Sequence, residues 1–230
     1  MSLILQIETA TTVCSVALSE NGSVLEYKEL EQRNVHAEVI TVFIDEVLKT
    51  AGRKYRQLEA VAVSCGPGSY TGLRIGISVA KGLCFSLDIP LIAIETLEAM
   101  TDGMIAQHVF DENDHVLLCP MIDARRMEVF TAIFDSKGNK VRPTSAEIID
   151  ENSFDDLLKT NKLIIFGDGA AKCNGVLGIN SNVQIISGFI NSARYLTKKA
   201  AEKYKAKQFE DTAYFEPYYL KDFIAGKKSV

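Results

Sequence analysis

"LEAVAVSCGPGSYTGLRIGISVAKGLCFSLDIPLIAIE", residues 58–95, decides how the chain is read. LEAVAVS (58–64) is a continuous apolar run, the pattern of a strand buried on both faces. PLIAIE (90–95) is another. Between them the glycine loop Gly66-Pro67-Gly68-Ser69-Tyr70-Thr71-Gly72 opens a helical segment that runs to about Leu87. A strand, a crossover helix and a second buried strand predict a parallel βαβ unit. The loop lacks the Lys-Ser/Thr pair of a P-loop and is one residue longer than the dinucleotide fingerprint. It reads either as an anion cradle at a helix N-terminus or as a tight turn in which glycine supplies positive φ and proline stiffens the bend.

Three strands precede this unit. LILQIE (3–8) is a buried run, VCSVALS (13–19) follows, and ENG (20–22) turns the chain into SVLEYKEL (23–30). HAEVITVFIDEVLKTAG (36–52) then places Ile40, Phe43, Ile44, Val47 and Leu48 at helical spacing, with Gly52 as a stop. A short helix starts near Thr96. The same order recurs downstream: strands at 115–123, 127–135 and 140–149, a helix at 153–160, strands at 162–170 and 182–187, and a helix at 191–207. Each half ends its first strand on an acid, Glu8 and Asp123, and carries a glycine pair after its fourth, Gly66/Gly68 and Gly167/Gly169. This repeated topology predicts an α/β fold of two ribonuclease-H-like (actin-like ATPase) halves, each a mixed sheet of βββαβαβ order with flanking helices. The halves are expected at residues 1–102 and 103–230, the segment after Lys207 packing back on the first.

The 230 residues carry a net charge of −5, which excludes a general nucleic-acid binder; any RNA contact is local or made through a partner. No window approaches about 18 apolar residues, and the N-terminus lacks the basic region of a signal peptide. Five cysteines occur without a C-x-x-C, and Cys14, Cys65, Cys84 and Cys119 sit in apolar runs, as buried free thiols do. These features predict a cytoplasmic protein with no membrane segment. His36, His108 and His115 show no metal-ligand spacing, so no metal site is expected, and His36 reads as a cap or surface residue. Ser69 has neither a histidine nor an acid near it in sequence to activate it, and no catalytic residue is assigned. The basic GKK at 226–228 reads as a solvated tail, with RNA contact the minority reading.

Two residue sets stand out. Glu8, Thr11, Gly66, Gly68, Asp123, Gly167 and Gly169 form a candidate vestigial nucleotide site; the acids read equally as groups that orient Mg²⁺ or water and as caps of strand-end turns. In the long helix, Gly72, Gly76 and Ala80 recur at i+4 with Cys84 next, and Leu73, Ile75, Ile77, Val79, Leu83, Phe85 and Leu87 cover most of the remaining circumference. A helix apolar nearly all round is buried on two sides. One side faces its own sheet; the other faces either the first helix or a partner. The candidate partner interface is Val39, Val42, Phe43, Leu73, Gly76, Ile77, Ala80 and Leu83.

ILQIETATTVCSVAL, HAEVI, AVSCGPGSYTGLRIGISVAKGL, PLIAIETLEAM, IDARRMEVFTAIF, GDGA and EPYYLKDF together resemble the TsaB (YeaZ) family nearly end to end. The resemblance implies a non-catalytic paralogue of TsaD, the subunit that transfers the threonylcarbamoyl group to adenosine 37 of tRNAs reading ANN codons. It implies pairing with a TsaD-like catalytic subunit through a helical bundle built from the N-terminal half, a TsaE-like ATPase as further partner, tRNA reached through the complex, and a homodimer on the same surface when alone. ATP or ADP with Mg²⁺ is expected weakly at most. Where TsaD carries the two histidines of its metal site, this chain has Thr96 and Met100, which cannot serve a transition metal as imidazole does. The family usually ends its first strand on Asp-Thr-Ser; here Glu8-Thr9-Ala10 stands there, which speaks against tight nucleotide binding. The alternative reading is an independent nucleotide-dependent phosphotransferase or ATPase of the actin/sugar-kinase type. A peptidase is disfavoured, since the sequence offers neither metal ligands nor a triad.

Overall fold

A computed structural model describes residues 2–110 and 115–221. The first half comprises β1 (Leu3–Glu8), β2 (Val13–Glu20), β3 (Ser23–Glu31), α1 (His36–Thr50), β4 (Ala60–Gly66), α2 (Tyr70–Leu87), β5 (Leu91–Glu95) and α3 (Thr96–Gln107). The second comprises β6 (Val116–Asp123), β7 (Glu128–Asp135), β8 (Lys140–Ile148), α4 (Asp155–Leu158), β9 (Lys162–Phe166), α5 (Ala170–Leu177), β10 (Val183–Ile186) and α6 (Thr197–Lys205). The first sheet has the order β3-β2-β1-β4-β5, and the second, written from its antiparallel edge, has the matching order β8-β7-β6-β9-β10. In each, the first strand pairs antiparallel with the second and parallel with the fourth. The two-fold βββαβαβ reading is the observed topology.

The continuous apolar runs of β1 and β4 are explained by cover on both faces. Leu3, Leu5 and Ile7 point to α1 and α2, where Ile40, Ile44, Leu73 and Ile77 close the core. Ile4, Ala60 and Ala62 point the other way, against Ala99, Leu196 and Ala200. Strand alternation therefore divides one run between two cores. All five cysteines, Cys173 included, are buried free thiols. Among the described residues no helix is long and apolar enough to cross a membrane.

Four expectations shift. The boundary between residues 102 and 103 falls inside α3, which is a wall shared by both halves: Ala99 packs in the first-sheet cluster, and Leu97, Met100 and Met104 in the second. The helix expected at 153–160 shrinks to Asp155–Leu158, because the Asp150 and Ser153 side chains bond neighbouring backbone and each other and hold the preceding residues in turns. The helix expected from residue 191 starts only at Thr197, after a 3-10 turn at Ala193–Leu196, since the Ala193 N–H is taken by Ser15 Oγ at 3.0 Å. The strand expected at 162–170 ends at Phe166, and helix α5 begins at Ala170 after the Gly167–Gly169 loop.

Beyond α6 the chain crosses the first half as a strap. Glu210 bridges Leu91 antiparallel. Lys81 Nζ donates to the Ala213 and Phe215 carbonyls at 3.2 and 3.1 Å, and the Tyr218 N–H donates to the Cys65 carbonyl at 2.7 Å. The basic stretch 226–228 lies outside the described residues.

Candidate functional site

The acid and glycines of the first half do come together, at the carboxyl ends of β1 and β4, the edge where open α/β sheets bind ligands. Glu8 is fully buried. Its Oε1 accepts from the Ala10 N–H at 2.6 Å and from Ser64 Oγ at 2.8 Å, while Oε2 has no hydrogen-bond partner. Burial pushes its pKa up to about 7 against the pull of those hydrogen bonds, and the buried Asn191 of the second half adjoins it. Gly66 adopts φ +118°, and a Cβ there would stand 2.6 Å from the Tyr218 carbonyl oxygen of the strap. A Cβ on Gly68 would overlap the Ala10 backbone. Thr11 spends its hydroxyl on the Val13 N–H at 3.3 Å, and its carbonyl pairs with His36 Nε2 at 3.0 Å. His36 is buried, not a surface residue. Close backbone approach accounts for both glycines: a side chain at either position would meet the strap or the Ala10 backbone.

In the second half, Asp123, Gly167 and Gly169 also meet. Asp168 Oδ1 accepts the Asp123 N–H at 3.1 Å, and burial raises the Asp168 pKa. Asp123 ion-pairs with Lys172 and accepts the Arg125 N–H at 2.8 Å. Cβ atoms on Gly167 and Gly169 would strike Met121, Met100 and Ile122. The glycines are there for close packing of loop on strand.

The small-residue stripe faces inward. A Cβ on Gly72 would overlap the Thr9 carbonyl oxygen and one on Gly76 would overlap Thr9 Oγ1, because the loop after β1 passes directly beneath α2. Phe43, Leu73, Gly76, Ile77 and Ala80, expected at a partner interface, are buried in the first-half core instead. Val39 and Leu83 are half-buried against that core, and Val42 is 49% exposed. The open side of α2 is the opposite one. With α1 it bounds an apolar groove of about 490 Å³ lined by Ile40, Thr41, Tyr70, Arg74, Ser78 and Val79, among others. Phe85, 86% exposed, continues the face toward the helix C-terminus. A larger cavity of about 610 Å³, with Glu95, Glu98, Lys203, Glu210, Phe215 and Tyr218 in its lining, lies between β5, α6 and the strap.

A family model described as "TsaD: tRNA N6-adenosine threonylcarbamoyltransferase" matches residues 28–162. The tRNA threonylcarbamoyladenosine biosynthesis protein TsaB of Haemophilus influenzae is 31% identical over 237 residues, covering 98% of this chain and 96% of that protein. The chain belongs to the TsaB family. The TsaB of Escherichia coli is 37% identical over 138 residues, 60% of this chain and 57% of that protein. A solved structure, YeaZ from Pseudomonas aeruginosa, superposes with a TM-score of 0.75 at 22% identity, over 96% of this chain and all of that one, a likeness of fold.

Within this TsaB family fold, sequence reasoning missed the contacts that join the halves. Ser192 Oγ donates to Glu29 Oε2 at 2.6 Å, and the Arg194 guanidinium lies 4.5 Å from the Tyr27 ring centre. Lys140 pairs with Glu95 and Glu98 at 2.8 and 3.2 Å. It also missed Tyr219 of the strap, whose ring packs against Tyr70 with centroids 4.8 Å apart and planes tilted by 32°. The only local hint was the aromatic cluster in EPYYLKDF.

Proposed function

We propose that this TsaB family chain is a non-catalytic subunit in the synthesis of threonylcarbamoyladenosine at adenosine 37 of tRNA, and that it acts by docking a TsaD-like catalytic subunit along the groove between α1 and α2. The observation that carries this reading is the groove itself: an apolar channel on the face of α2 turned away from the sheet, with exposed Phe85 further along the same helix. Exposed apolar surface of this kind marks interaction sites. The occupant follows from ancestry. The chain matches the transferase model over residues 28–162, which include α1 and α2, so the transferase is expected to carry a related helix pair. Two such faces meeting about a pseudo-two-fold axis form a helical bundle.

Further support comes from the residues that the resemblance sets opposite the transferase's metal-holding histidines. Thr96 and Met100 are both buried, and Met100 packs in the second-half core. In this reading the subunit works without a nucleotide of its own. The TsaE-like ATPase and tRNA join through the complex, and the isolated chain self-associates on the same groove.

The test is reconstitution. Unmodified tRNA, the TsaD-like subunit, the ATPase and the activated threonylcarbamoyl donor should yield modified adenosine only when this chain is added, and this chain with donor and tRNA alone should yield none. Calorimetry of the isolated chain with Mg-ATP should show no binding at micromolar concentrations. Turnover of nucleotide by the isolated chain would instead support the kinase-type enzyme.

A further inference from the structure

We infer that Arg74 is the charged anchor of the groove: packed on the Tyr70 ring and hydrogen-bonded to Tyr219, its guanidinium selects a carboxylate that the partner's helix carries beside an apolar side chain. The inference rests on the docking reading above and names what that surface recognises. Arg74 Cζ lies 4.0 Å from the Tyr70 ring centre and 5.9 Å from that of Tyr219, and its Nε donates to Tyr219 Oη at 3.0 Å. Tyr219 comes from the strap, whose backbone is fixed by Lys81 and by the Cys65 carbonyl, so the hydroxyl that orients Arg74 is delivered from an anchored segment. Among the described residues the groups that interact with the Arg74 guanidinium are these two tyrosines, and no carboxylate pairs with it.

A guanidinium has five donors; Tyr219 takes the one on Nε, and the Tyr70 hydroxyl also interacts with the group. The terminal N–H groups left over can bind a carboxylate, and packing on Tyr70 restrains them before the partner arrives. The rest of the groove lining is apolar or hydroxylic: Ala37, Ile40, Ile75 and Val79 beside Thr41, Thr71 and Ser78, with no acid among them. An incoming helix that fills this channel with an apolar side chain satisfies Arg74 only by presenting an acid one turn away. Arginine and tyrosine at the centre of an apolar patch are also the residue types that dominate binding energy at interfaces. A phosphate would match the same N–H groups, but the apolar floor beside them favours a protein helix over RNA.

The experiment titrates the TsaD-like subunit of the same organism into the full chain and into Arg74→Met, Tyr219→Phe and Ser78→Trp, each at low and high salt, with melting temperatures recorded. Arg74→Met should weaken the complex at least about tenfold and flatten its salt dependence, with an unchanged melting temperature. Tyr219→Phe, which keeps the ring and removes the orienting hydroxyl, should weaken it a few-fold and leave the salt dependence in place. If Arg74→Met binds as tightly as the parent while Ser78→Trp does not bind, the groove docks the partner without this anchor and the inference is overturned. If Ser78→Trp also binds normally, the docking reading itself falls. Loss of tRNA binding by Arg74→Met with subunit affinity intact would assign the guanidinium to phosphate and overturn the inference as well.

Discussion

Gly76→Leu is expected to destabilise the protein by about 3 kcal/mol or more, because any side chain there meets the loop after β1. A Cβ on Gly76 would overlap Thr9 Oγ1 and lie 3.3 Å from Thr9 Cβ. Thr9 cannot retreat: it is fully buried at the end of β1, next to Glu8, which is held by Ser64. Gly82, on the same helix, is exposed, and a Cβ there would have nothing within 4 Å of it. Gly82→Leu should therefore be neutral, or stabilising by roughly 0.5 kcal/mol from helix propensity. Urea denaturation of the pair reads the difference. Equal stability of Gly76→Leu and the parent would mean that α2 is rotated about its axis relative to the structure described above.

The second large effect concerns Glu8. Its carboxyl is fully buried, and burial raises its pKa from 4.5 to about 7. The folded protein thus holds a proton that the unfolded chain has released, and folding becomes less favourable as pH rises from 4.5 to about 7. Below that window the group costs nothing; above it the full penalty applies. A pKa unit is about 1.4 kcal/mol, so Glu8 withholds about 3 kcal/mol at alkaline pH. Glu8→Gln removes the charge and keeps the shape. Relative to the parent it should gain about 3 kcal/mol near pH 8 and little near pH 4, measured by denaturant titration at several pH values. A parent-to-variant difference that does not change with pH would show that Glu8 stays in one ionisation state across the window.

The fold was legible because periodicity and turn chemistry are local. The apolar runs of β1 and β4, the turns at 20–22 and 136–139, and the glycine pairs after β4 and β9 each report on a few neighbouring residues, and their order recurs in both halves. The burial of the expected interface residues was hidden for a reason that is not local. A helix apolar nearly all round shows two candidate faces, and the choice between them depends on what passes beneath it. Small residues read as a surface for a partner, yet here they admit the Thr9–Ala10 backbone. That backbone is more than sixty residues away in sequence, and nothing within α2 reports its position. The groove on the other side draws on residues that the sequence shows as an ordinary polar interruption, Arg74 and Ser78, and on Tyr219 from 145 positions further on. The link of Ser15 to Ser192 across 177 positions was hidden for the same reason.

The most direct measurement is the affinity of the TsaD-like subunit for this chain and for Ser78→Trp. Ser78 is exposed on the groove side of α2, so an indole there fills the channel without entering the core. Ser78→Trp should melt with the parent and fail to bind the subunit, at least about a hundredfold weaker. Undiminished binding by a correctly folded Ser78→Trp protein would contradict docking through the groove between α1 and α2.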